Sequence, residues 1–216
     1  MSRARRRWSV PEPDVPPHLE PGDPADLDDA TTTGVDLTGA VVTGLREAQV
    51  ENSELGRVRA NAAQWERVTL ADCRLDGADL ANLVWRDGSL QRCSLREVRM
   101  TGALLAGVRV RSALLEGVQG SLTTWHGVQL RSVVLRGCDL REATFVDTVL
   151  DEVLLEDCVL SGAQLGGLRC REVQLRGCRL DGVAGVAGLR GARVAEEDAL
   201  ALVPAMAREL GIAVGG

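Results

Sequence analysis

The side chains with the widest chemical reach in this 216-residue chain are six cysteines, two histidines and 31 carboxylates. Cys138, Cys158 and Cys178 lie twenty residues apart, as do Cys73 and Cys93. A metal centre would need thiolates converging at tetrahedral geometry, commonly with CxxC spacing or histidine partners, and an even ladder supplies neither. Disulfide frameworks belong to small exported chains, whereas here MSRARRRWSV is followed by PEPDVPP and not by an apolar export segment. Reduced thiols that pack as small apolar residues and a cytoplasmic location are expected. His18 and His126 belong to no constellation with a nucleophile or ligand cluster, and Lys and Tyr are absent. Single carboxylates outside a concave, desolvated setting are not tuned for acid or base catalysis. Neither an enzyme nor a cofactor or metal site is expected.

Composition narrows the partners. The net charge is −6 and every one of the 25 basic residues is Arg. Phosphate neutralisation needs clustered positive charge, so direct nucleic-acid binding is not expected. No run of eighteen apolar residues offers a membrane span.

The elements that must carry these side chains follow from a period of five. Every fifth residue from Val50 to Leu180 gives 27 positions, of which 17 are Leu and only Gly120 lacks an apolar side chain. Two residues earlier, 21 of 27 positions are Ala, Val or Cys. All 35 charged residues between Ala48 and Gly182 fall in the other three slots. A five-residue step turns an α-helix by about 140°, which scatters the leucines round the cylinder. In a continuous strand the same step alternates faces. What fits is a short extended piece with two inward residues, then a corner.

The triplets Val35-Asp36-Leu37, Ala78-Asp79-Leu80 and Cys138-Asp139-Leu140 resemble the pentapeptide-repeat proteins, whose unit is a small residue, Asp or Asn, Leu and two variable residues. That resemblance implies an all-β solenoid, a right-handed quadrilateral β-helix with twenty residues per coil. Residues twenty apart then stack, which puts Trp65, Trp85, Leu105, Trp125, Phe145 and Leu165 in one interior column. Gly120 leaves a gap where a local cavity or bulge is expected. Residues 35–44 supply two repeats ahead of a three-residue insertion, Leu45-Arg46-Glu47, and the β-helix is expected over 35–187.

The ends differ. Residues 1–34 hold six of the seven prolines, basic side chains at Arg3, Arg5, Arg6 and Arg7 and then a run of acids, which reads as a flexible leader. Residues 188–216 lose the period. Leu200, Val203, Ala207 and Leu210 fall at helical spacing behind Glu196, Glu197 and Asp198, and Pro204 should kink or divide that helix. This tail is similar to the closing segment of mycobacterial quinolone-resistance members of the family, which implies a homodimer through a helix carrying Leu200, Val203, Met206, Ala207 and Leu210. The same resemblance implies a protein partner, type II topoisomerase, bound by imitation of a DNA duplex. Against it, 18 acids face 17 Arg along the repeats. Asp139, Glu142, Asp147, Asp151, Glu152, Glu156 and Asp157 form one acidic belt around the rod, and residues 86–111 an Arg-rich one. Leu114, Val134 and Leu154 take one outward slot on successive coils, an apolar stack that offers a docking face. With the acidic belt it is the candidate partner surface.

Overall fold

The computed structural model describes residues 8–213. They form a parallel β-solenoid of about eight turns closed by a single C-terminal helix. Ladders repeat at an offset of twenty: Gln64–Glu66 pairs with Val84–Arg86, which pairs with Leu104–Ala106, then Thr124–His126 and Thr144–Val146. Four five-residue sides make each coil, and at about 4.8 Å per coil the rod is roughly 38 Å long.

The two apolar slots form the interior. Trp65, Leu70, Leu75, Leu80 and Trp85 are at most 1 % exposed, as are Val68, Cys73, Ala78 and Leu83 two residues ahead of four of them. The aromatic column is built as the twenty-residue interval predicts. Trp65 meets Trp85 edge-on at 5.2 Å between centroids, and Trp125 stacks on Phe145 at 5.9 Å. Gly120 leaves no gap, because Leu140 Cδ2 reaches to 3.1 Å from where a Cβ would stand. An apolar space of about 20 Å³ lies in the core beyond it, lined by Trp125, Leu140, Phe145, Leu150, Leu165 and Leu168 among others.

Nearly every corner places the residue two after the central one in the left-handed region: Asn52, Arg57, Ala62, Arg67 and Asp72 have φ between 50° and 56°. Side-chain-bearing residues resist this conformation by roughly 1–2 kcal/mol each. The offset is a backbone hydrogen bond along the rod axis. The Arg57 amide donates to the Asp76 carbonyl at 2.9 Å and Asn82 to Thr101 at 2.9 Å, so nineteen residues on, the next coil accepts what the corner turns outward.

Two boundaries differ from the sequence reading. Leu45-Arg46-Glu47 is not extruded as an insertion. Leu45 is buried beneath Trp65, and the first coil is instead two residues short, with Thr31 paired to Gln49 and Val41 to Arg59. The described part of the leader is also ordered into the fold. Glu20–Pro21 pairs with Val35–Asp36, Thr31–Thr33 with Gln49–Glu51, and Leu27, 1 % exposed, closes the core at that end. Asp23 caps the 3-10 turn Pro24–Asp26 by accepting from the Ala25 amide at 2.9 Å. The prolines suggested looseness because they lack a donor, yet at a solenoid end an apolar plug outweighs it. The basic cluster Arg3, Arg5, Arg6 and Arg7 lies outside the described residues.

At the other end Arg193–Val194 adds a last strand beside Leu168–Arg176. The helix follows as α1 (Glu196–Ala199), a 3-10 turn Leu200–Leu202 and α2 (Val203–Glu209). Pro204 stands in the first turn of α2, where its missing N–H does no harm, so the expected division falls just ahead of it.

Candidate protein-interaction surfaces

One outward column carries charge on every coil from Asp76 to Glu156, and along it the sign alternates. Arg96 Nε lies 3.2 Å from Glu116, Arg136 contacts Glu116 at 3.4 Å and Glu156 at 3.0 Å, and Asp76 is 3.6 Å from Arg96. Asp79 holds Arg99 at 3.0 Å in a second column. Asp151 lies between Arg131, at 3.7 Å, and Arg171. Within the acidic belt Asp139 is held by Arg141 at 2.6 Å, and that hydrogen bond pulls its carboxyl below the ordinary range. Glu152 accepts from the Ser132 hydroxyl at 2.7 Å. Glu142, Asp147 and Asp157 stand exposed at left-handed corners. The sequence shows the belt, but only the register along the axis shows that Asp151 and Glu156 are paired with Arg of neighbouring coils.

The apolar stack is not an open docking face. Val134 and Leu154 are 3 % and 2 % exposed, and Leu114 is half-buried. Register explains this. Ser94, Leu114, Val134, Leu154 and Gln174 follow one another along the axis. The Trp8 indole donates to Gln174 Oε1 at 3.2 Å and Glu12 accepts from Arg96 at 3.1 Å, so residues 8–12 cross directly over the stack. Farther on Pro13 is buried, the Asp14 amide donates to Asp72, and its carbonyl accepts from Asn52 Nδ2 at 2.7 Å. The N-terminal stretch is a strap and not an untethered tail.

The C-terminal helix has two unlike faces. Leu202, Ala205 and Ala207 are 8 % exposed or less and lie against the rod. Leu200, Val203, Met206 and Leu210 are 49–74 % exposed, continued by Ile212 at 56 %. Ala207, grouped with the outer residues by spacing, therefore belongs to the inner face. Two carboxylates that the sequence offers only as helix-start or surface charge fix the cap. Buried Asp198 accepts from the Cys178 amide at 2.9 Å, and Glu209 accepts from the Val186 and Ala187 amides at 2.7 and 3.3 Å. A solenoid end leaves such amides without a next coil, and a reader alert to that need could have sought carboxylates for them.

The cysteine ladder lies inside. Cys73, Cys138, Cys158 and Cys178 each direct Sγ to a carbonyl of an adjacent coil, at 3.3–3.5 Å. A thiol–thiol hydrogen bond with Cys138 pushes Cys158 up to about 12 and lowers Cys138, and burial pushes Cys170 up to about 11. Cys158 and Cys170 are thereby held protonated, which makes them poor nucleophiles and ligands. Among the described residues no group of three or more His, Cys, Asp or Glu is arranged to hold a metal ion. His18 and His126 are exposed.

Comparison with known proteins finds the same five-residue repeat. The family described as Pentapeptide repeats matches eight copies over residues 73–111 and 126–162. No curated protein matches significantly. Among solved structures, full-length QnrB1, a plasmid-mediated fluoroquinolone resistance protein, is 16% identical over 85% of this chain and 100% of its own, with a TM-score of 0.43. HetL, a pentapeptide repeat protein involved in heterocyst differentiation regulation from the cyanobacterium Nostoc sp. strain PCC 7120, is 21% identical over 73% and 75%, with a TM-score of 0.45. Eight pentapeptide repeats are thus matched within this chain, and they lie in the parallel coil of five-residue sides described above.

Proposed function

We propose that this chain is a non-enzymatic protein-binding rod of the cytoplasm that pairs with a second copy through the outer face of its C-terminal helix. One observation carries the reading. The helix already covers the rod end with Leu202, Ala205 and Ala207, yet keeps Leu200, Val203, Met206, Leu210 and Ile212 in solvent. A contiguous apolar face beyond what capping requires is the mark of an association site. Truncating the helix is a poor test, because Asp198 and Glu209 hold the last coil. Leu200→Glu with Leu210→Glu should instead halve the mass measured by light scattering while leaving the far-UV circular dichroism unchanged. A native chain that already scatters as a monomer at micromolar concentration overturns the pairing.

The most specific partner for such a rod is a type II topoisomerase, DNA gyrase in particular, as the family resemblance implies. A supercoiling assay with micromolar protein tests it: inhibition, or protection against a quinolone, supports the reading, and neither effect removes it. Columns of alternating sign favour a second reading, a scaffold for a different protein, because a duplex mimic needs like charge repeated along the axis.

A further inference from the structure

The strap poses a question that the helix does not. Backbone groups on the flat sides of the rod bond to the coils above and below, for example Leu114 N to Cys93 O at 3.1 Å and Val134 N to Ala113 O at 3.1 Å. A segment running along the axis therefore finds few backbone partners and must be recognised by side chains. Residues 8–15 are held in that way. Trp8 reaches Gln174, Val10 is half-buried, Glu12 pairs with Arg96, Pro13 is buried, and Asp14 is gripped on both sides of its peptide by Asp72 and Asn52. Below them the outward slot changes from the charged residues Glu54 and Arg74 to Ser94, Leu114, Val134 and Leu154. Surface slots of a solenoid have no packing need for three aliphatic side chains in a row; a ligand lying on them supplies one.

We propose that this face is a peptide-binding surface, occupied in cis by residues 8–15. When that segment lifts, it accepts an extended segment of the same chemistry: an indole, an apolar residue two positions on, a carboxylate four positions on and a proline after it. Gln174 reads the indole N–H, the Val134–Leu154 floor takes the apolar residue, and Arg96 reads the carboxylate. The strap is the built-in competitor. A tethered segment acts at an effective concentration in roughly the millimolar range, so a partner must exceed that or meet a loosened strap. The inference concerns the side of the rod and stands whether or not the end pairs.

The test uses the full chain and a fluorescein-labelled peptide of its own residues 8–19, WSVPEPDVPPHL. Trp8→Ala with Glu12→Ala loosens the strap and should bind the peptide at least tenfold more tightly than the native chain by fluorescence anisotropy. Adding Arg96→Glu should abolish that gain, and a peptide carrying Glu12→Arg should restore it. A loosened chain with native circular dichroism that binds no more tightly, or binding indifferent to Arg96→Glu, overturns the proposal. A second readout needs no variant. Millimolar unlabelled peptide should speed hydrogen exchange at the Asp14 and Val15 amides of the native chain at least tenfold, and unchanged exchange overturns the proposal equally.

Discussion

Thr123 sits in the slot where the repeat mostly places Ala, Val or Cys, and its hydroxyl explains this exception. It accepts from the Trp125 indole at 2.8 Å and donates to the Gly120 carbonyl at 2.7 Å, all of it buried. Gly88 is a second exception with a steric cause, since a Cβ there would come within 1.9 Å of Trp85 Nε1. Both departures were visible as irregular residues near tryptophans, but which way an indole N–H points inside a coil is a three-dimensional fact. Thr123→Val, nearly isosteric, strands that donor and should cost about 1–3 kcal/mol in urea unfolding. Asp72 is another residue whose chemistry the fold changes. Its hydrogen bond from Arg92 holds the carboxyl below its ordinary value. A depressed carboxylate contributes stability above its unfolded pKa, about 3.9, and that contribution fades as pH falls through the lower folded value. Stability should therefore fall as the pH drops below about 4, and Asp72→Asn should flatten that limb of a urea-midpoint profile between pH 7 and 3.

The elements were legible in proportion to their regularity. Wherever the five-residue period runs unbroken, spacing alone predicts which side chains stack, and Trp65, Trp85 and Leu105 do so in register. Legibility failed where an element is defined by its neighbour and not by its own pattern. The strap carries no five-residue period because its residues are placed by contacts with distant coils, Trp8 with Gln174 and Glu12 with Arg96, and the closing helix hides Asp198 among three successive acids. Asp198→Ala should unsatisfy the Cys178 amide and lower stability by about 1–3 kcal/mol. Hydrogen exchange should then accelerate first in the last coil, around residues 170–185, and not uniformly along the rod.

For the molecule as a whole, alternating charge columns set a measurable sign. Neighbouring coils attract through Arg96, Glu116, Arg136 and Glu156, so screening should weaken their cohesion. Raising salt from 0.05 to 0.5 M should lower the melting temperature slightly, whereas a rod lined with one charge would be stabilised by the same change. The strap has a different consequence. Ladder contacts join residues about twenty apart, a local topology in which structure can begin at any coil and spread by one neighbour at a time. The Trp8–Gln174 bond spans 166 residues. It can close only after every intervening coil has stacked, which makes it a late kinetic event and a tie between the first residues and the last coils. Indole emission from Trp8 should accordingly report completion of the rod, in a phase separate from the one that buries Trp65 and Trp85.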